Sequence, residues 1–332
     1  MSSAPLSLRY GVPQGSVLGP ILYILYNTPM HSISSLHGVS DHLYADDGQQ
    51  YTRFRVNDSA DQARAFLSLS TCIGETKQWA ATNRLKFNDG KTDALVAYSS
   101  YARKKPSLIP LVVGDSSIYP SSSVCNLGVT IDTHVKLDAH IRNICKKAFF
   151  HLRRISRIKK FLSRSSLIRL IQSFVFSHLD YCNSLLAGLP DTSIKRLQNV
   201  QNSAARLVTG AKRFDHIFTH LIALHWLPVA QRIDFKISLL MFRCLNDCAP
   251  SYLSELISRD SNCSAYRLRS ETRGDLLVPP TRTKTYGDRA FSVYGPRLWN
   301  SLPLSVRSCP TIISFKSKLK THLFRQAFPQ QV

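Results

Sequence analysis

Residues 36–54, LHGVSDHLYADDGQQYTRF, hold the stretch on which the reading of this chain turns. From His42 to Phe54 the pattern is two extended arms around Ala45-Asp46-Asp47-Gly48, so that two adjacent carboxylates fall at a hairpin turn. Like charges this close repel each other, a cost that solvent or cations must offset. Magnesium, a hard cation that seeks oxygen ligands, suits such a pair. A plainer reading is also open, because Asp-Gly is a common hairpin turn with no chemistry attached.

Outward from the pair, residues 8–27 read as a short strand, a turn at Gly11-Val12-Pro13-Gln14-Gly15 and a helix through SVLGPILYILYN. Ser16 can cap that helix, and Pro20 is tolerated in a first turn whose N–H groups lack partners. Asp61 to Arg84 has helical periodicity, LKFNDGKTDALVAYS reads as strand, turn and strand, LIPLVVGDSSIYP as a hairpin turning at Gly114-Asp115, and SVCNLGVTID as one more strand. From about Lys136 to Ile257 the pattern is helical; from Ser264 it is irregular, ending in a short basic helix around Phe315 to Phe328. Taken by itself, Pro13-Gln14-Gly15 reads as a tight turn before a core helix.

The chain has 332 residues, 44% hydrophobic and 10% aromatic, enough to bury a core and too apolar for a disordered chain. Length suggests two globular units. Lys and Arg number 43 against 21 Asp and Glu, a net charge of +22, which points to a polyanionic partner, nucleic acid before membrane. The excess is concentrated. Between Asp138 and Asp180 there is no acid, while Arg142, Lys146, Lys147, Arg153, Arg154, Arg157, Lys159, Lys160, Arg164 and Arg169 all occur. Ile141, Ile144, Ala148, Leu152, Ile155 and Leu162 recur near helical spacing among them, giving a buried stripe and a cationic face able to track phosphates without reading sequence.

Eight cysteines are scattered without a CxxC pair or zinc-finger spacing and read as reduced thiols, with no disulfide-linked partner; Cys244 and Cys248 lack a second ligand pair. MSSAPLSLRYGVPQG has neither the basic nor the apolar region of a signal peptide, and Ser165 to Leu189 is interrupted by Arg169, His178 and Asp180, so an intracellular protein with no membrane span is expected. Trp226 and Trp299 read as packing residues; the basic tail carries Lys316, Lys318, Lys320 and Arg325.

Four stretches in order, GVPQGSVLGP (11–20), YADD (44–47), LKFNDGKT (85–92) and NLGVTID (126–132), resemble motifs B, C, D and E of reverse transcriptases. LDYCNSLLAGLP, LQNVQNSAARLVTG, HWLPVAQRIDFKI, CLNDCAPSYLSELI, GDRAFSVYGPRLWNSLPLSVR and FKSKLKTHLF resemble the region that follows the polymerase domain in LINE-type, non-LTR retrotransposons, so the resemblance covers nearly the whole chain. It implies an α+β fold: a partial right-hand palm of antiparallel sheet and helices over residues 1–134, a basic helical thumb over 135–175, and a mostly helical C-terminal region over 176–332.

It also implies RNA-directed DNA polymerase chemistry by two-metal nucleotidyl transfer, with RNA template, DNA primer and deoxynucleoside triphosphates as partners and the nucleus as the place of action. Asp46 and Asp47 would hold Mg²⁺; Gln14, Gly15, Tyr44 and Ala45 would face nucleotide and template. Lys91 would assist the pyrophosphate leaving group, and Leu127, Gly128 and Val129 would grip the primer. MSSAPLSLRY, ahead of motif B, contains no acid, so the motif A aspartate, the fingers and the first palm strands are expected to be missing and the isolated chain to be inactive. A non-catalytic nucleic-acid-binding remnant and an inert reading frame of a truncated element are the alternatives.

Overall fold

The computed structural model describes residues 15–113, 116–257, 275–283 and 285–329. The chain divides into two compact units, Met1–Lys136 and Leu137–Val332.

The first unit mixes helices with short antiparallel hairpins. Helix α1 (Gly19–Asn27) has Pro20 in its first turn, and the Ser16 hydroxyl accepts from Gly19 N at 3.1 Å, as the sequence suggested. Helix α2 (Pro29–Leu36) follows, then strands β1 (Ser40–Tyr44) and β2 (Asp47–Tyr51). Helix α3 (Ser59–Thr82) starts where the Asp58 carboxylate accepts from Ala60 N and Asp61 N, both at 3.0 Å, filling two of the orphan donors of a helix start. Its buried face is Gln62, Ala65, Cys72, Thr76 and Ala80. These side chains are small or polar, so α3 packs closely yet removes little apolar area from water. The large apolar residues of α1, Ile21, Leu22, Ile24 and Leu25, remain exposed.

Strands β3 (Leu111–Val113) and β4 (Ser116–Ile118) pair next, with the expected turn at Gly114-Asp115 outside the described residues; β5 (Ser123–Asn126) and β6 (Val129–Asp132) complete the unit. Antiparallel pairing is as expected, but among the described residues it is divided among three separate two-stranded hairpins. Two expectations need correction. SVCNLGVTID is a hairpin rather than one strand, because Leu127 and Gly128, at φ 45° and 78°, form a two-residue turn between Asn126 and Val129. LKFNDGKTDALVAYS is not strand, turn and strand: it holds a 3₁₀ turn, Asp89–Lys91, and one isolated bridge, Ala94 to Pro120. Its backbone finds partners elsewhere, Ser121 N donating to Ala94 O and Tyr98 N to Thr133 O, which leaves no second strand for a ladder.

The second unit is helical. Its long helices are α4 (Asp138–Ile158), α7 (Asp191–Thr209), α9 (Val229–Leu245) and α13 (Ile312–Ala327). Between the first two lie α5 (Arg164–Ile171), a π turn (Gln172–Phe176) and α6 (Ser177–Asp180); α8 (Ile217–Ala223) precedes α9 and α10 (Ser251–Ser254) follows it. Helix α4 packs on α7, α7 on α9, and α9 on α13. Gln201, fully buried in α7, donates to Leu227 O at 2.8 Å and accepts from Gln198, whose own carbonyl caps Val229 N at 2.8 Å, so two glutamines fix the start of α9.

Of the region from Ser264 that was expected to be irregular, residues 264–274 and 284 lie outside the described residues, and from residue 291 the chain is helical. Helices α11 (Phe291–Ser301) and α12 (Leu304–Arg307) precede α13. Gly295-Pro296 inside α11 opposes helix by propensity, but burial of Val293 and Trp299 overrides it. Trp299 lies 5.8 Å from Phe315, and Trp226 lies 4.6 Å from Phe176, ring to ring, so both tryptophans are core residues. Among the described residues the cysteines are free thiols, and no helix is long and apolar enough to cross a membrane.

Candidate nucleic-acid and metal-binding residues

The β1–β2 ladder pairs Tyr44 with Asp47, leaving Ala45 and Asp46 as a two-residue turn. Ala45 takes the left-handed conformation, φ 53°, that tight hairpins favour and a Cβ resists. Asp46 therefore stands at the tip and Asp47 opens β2, both exposed, with Tyr44 exposed beside them. Among the described residues no group of three or more His, Cys, Asp or Glu is gathered as a metal centre, so the pair stands as two oxygen donors without a third.

The hairpin is anchored from beneath by Gln50. Its amide nitrogen lies 3.2 Å from the Ser34 hydroxyl, 3.2 Å from that of Thr76 and 3.4 Å from the Cys72 sulfur, joining β2 to α2 and α3. His31 and Asp41 add a contact of 2.8 Å between α2 and β1. Sequence reasoning passed over Gln50; the available signal was a polar side chain on a strand position facing Ser34, Cys72 and Thr76, which share the inner face of two amphipathic helices.

The other candidates of the first unit lie on separate turns. Gly15 is exposed at φ 89° before α1, while Gln14 lies outside the described residues. Lys91 is exposed at the end of its 3₁₀ turn, shaped by Asn88, whose side chain accepts from Gly90 N at 3.1 Å. Leu127 and Gly128 form the β5–β6 turn, whereas Val129, at 4% exposure, is core.

In the second unit α4 segregates its residues cleanly. Ile141, Ile144, Ala148, Leu152 and Ile155 are buried, and Arg142, Lys146, Lys147, Arg153, Arg154 and Arg157 are exposed; Lys159 is half-buried and Lys160 exposed just beyond. Arg142, Lys146, Arg153 and Arg157 are spaced four, seven and four apart, one continuous stripe on a helix of 3.6 residues per turn. The acids that bound this stretch are already engaged. Asp138 lies 3.5 Å from Arg196, and Asp180 takes a two-pronged contact from Arg232, Nε to Oδ1 at 2.8 Å. The cationic face is thus left uncompensated from its ends.

The chain is 30% identical over 212 residues to the probable RNA-directed DNA polymerase from the X-element transposon of Drosophila melanogaster, a match covering 61% of this chain and 22% of that protein. It is 25% identical over 219 residues to the corresponding protein of transposon BS from the same species, covering 62% and 23%. A third relative, the RNA-directed DNA polymerase of the jockey mobile element of Drosophila funebris, is 23% identical over 212 residues, covering 61% and 22%. Over about three fifths of its length this chain is similar to RNA-directed DNA polymerases of Drosophila mobile elements. No family model and no solved structure matches it. The chain spans less than a quarter of the length of these relatives.

Proposed function

We propose that the chain forms part of an RNA-directed DNA polymerase, with palm elements in the first unit and a thumb beginning at α4. The observation that carries this is the tight hairpin presenting Asp46 and Asp47, uncompensated and exposed, in a chain related to RNA-directed DNA polymerases. The donor set fits magnesium in kind, since both ligands are carboxylate oxygens, and falls short in number. Bound there, the metal would supply the Lewis acidity that activates a primer hydroxyl and offsets charge on the leaving oxygens.

This chain's own residues have the following roles. Asp46 and Asp47 hold the cation, and Gln50 keeps their hairpin seated on α2 and α3. Gly15 and Gln14 lie along nucleotide and template with Tyr44 and Ala45; Lys91 meets the negative charge of pyrophosphate; the Leu127-Gly128 turn, with Val129 rooted in the core, holds the primer end. The exposed cations of α4 hold RNA template and DNA primer through their phosphates, independent of sequence. Deoxynucleoside triphosphates are the second substrate, and the nucleus is the place of action.

Among the described residues no third His, Cys, Asp or Glu joins the pair, so nucleotide transfer is expected to need a further carboxylate, and this chain by itself is expected to bind template–primer without extending it. The test is primer extension on poly(rA)–oligo(dT) with Mg²⁺, comparing the chain with a chimera that adds the X-element polymerase segment preceding the matched region. Extension by the chimera alone, cut at least about a hundredfold by Asp46→Asn, is expected. Incorporation by the unextended chain, or a chimera indifferent to Asp46→Asn, refutes the metal-site reading. Salt-sensitive binding of the substrate with no extension by either form leaves a non-catalytic binding function, for which the α4 face is the supporting observation.

A further inference from the structure

The cations of α4 suit a phosphate track, but the rings set among them do not follow from it. Lys147, Phe150, His151 and Arg154 fall at i, i+3, i+4 and i+7, a second stripe of the helix in which two cations bracket two rings. The His151 ring stacks on Phe174 and on His178, 5.5 Å from each centroid and inclined by 27° and 24°. Phe150 meets His151 edge-on at 5.5 Å and 79°, and the Arg154 guanidinium sits 5.6 Å from the Phe150 centroid. The π turn supplies Phe174 and leads directly into α6, which carries His178; such an i→i+5 bulge adds one residue to the helix and re-aims the side chains before it.

Packing explains His151, which joins α4 to the π turn. It does not explain Phe150 and Phe174, which remain 53% and 48% exposed outside the core. Half-exposed rings beside exposed cations are what an unpaired nucleotide needs, a π surface for the base and positive charge for its phosphates. A paired base has no use for them, since its faces are already covered by its neighbours in the duplex.

We infer that Phe150 and Phe174 form a stacking platform for an unpaired nucleobase, with Lys147 and Arg154 on the adjoining phosphates. The platform would take a base at the end of the duplex, on either the RNA or the DNA strand. This rests on the reading of α4 as a nucleic-acid surface.

The test uses the full chain and RNA–DNA hybrids that are blunt or carry a three-nucleotide overhang containing 2-aminopurine, placed on the RNA strand in one arm and the DNA strand in the other. The overhang hybrid should bind about tenfold tighter than the blunt one, with 2-aminopurine fluorescence quenched. Phe150→Leu with Phe174→Leu should abolish both the preference and the quench while leaving blunt-duplex affinity and its salt dependence in place. Phe150→Leu alone, outside the core, should reduce the preference about threefold and guards against misfolding of the double variant. A preference confined to one arm assigns the base to template or to primer, and either supports the platform. Equal affinity for blunt and overhang hybrids, or a preference that survives the double variant, overturns it. If the chain binds neither hybrid, the α4 surface itself is refuted and the platform with it.

Discussion

Neutralising three cations of the α4 stripe, Lys146→Gln with Arg153→Gln and Arg157→Gln, tests the phosphate track quantitatively. The 15 residue steps from Arg142 to Arg157 span about 22 Å at helical rise, a length over which a duplex presents about 13 phosphates. Roughly half can face one helix, so about six contacts are the ceiling, and the logarithm of affinity should fall with log salt at a slope of about −5. Between 50 and 200 mM salt that is a loss of about a thousandfold. Removing three contacts flattens the slope to nearly −3 and the loss to about fortyfold. All three side chains are exposed, so the thermal melt should scarcely move. Fluorescence anisotropy of a labelled RNA–DNA hybrid across a salt series reads the slope directly. An unchanged slope in a variant that melts normally refutes the assignment of this stripe to phosphate.

Two further outcomes follow from the packing of α9 against α11. A Cβ added at Gly295 would stand 2.5 Å from the Met241 sulfur, which is itself fully buried, so Gly295→Ala should lower stability by about 1–3 kcal/mol, seen as a reduced urea midpoint. The Tyr294 hydroxyl donates to Asp234 at 2.9 Å, and burial, followed by the Asp234 charge, holds the phenol above the ordinary tyrosine range. A raised native pKa gives stability that is whole below about pH 10 and is lost as pH climbs beyond it; Tyr294→Phe should flatten that alkaline loss in urea titrations at pH 8 and 10.5 while costing about 1 kcal/mol at neutrality.

What could be read from the sequence depended on whether the signal was local. Helix α4 was legible because its apolar stripe and its cations separate at helical spacing, and β1–β2 because two extended arms flank Ala45-Asp46-Asp47-Gly48, although the turn falls on Ala45-Asp46 and not on Asp47-Gly48. The β5–β6 hairpin was not, since its turn places Leu127 in the left-handed region, where a branched side chain gives no turn signal. Residues 85–99 misled because alternation suggests a strand while ladder formation needs a run of distant partners, and here Ala94 forms an isolated bridge to Pro120 and Tyr98 bonds to Thr133. Helix α11 was hidden by Gly295-Pro296, whose fit to Met241 is a tertiary fact. In the candidate site, the carboxylate pair announced itself, whereas Gln50 acquires its anchoring role only once Ser34, Cys72 and Thr76 converge on it.

The relay of packing from α4 through α7 and α9 to α13 also sets a timetable for synthesis. Phe315, Leu319 and Leu323 of the last helix are fully buried, so the layer beneath α9 cannot close until nearly the whole chain has been made. At roughly 5–20 residues per second, the stretch from the end of α9 at Leu245 to the end of α13 at Ala327 takes about 4 to 16 s to emerge, a period in which α9 waits with part of its apolar face uncovered. A premature stop after residue 310 would therefore behave as a lesion of the whole second unit rather than the trimming of a tail.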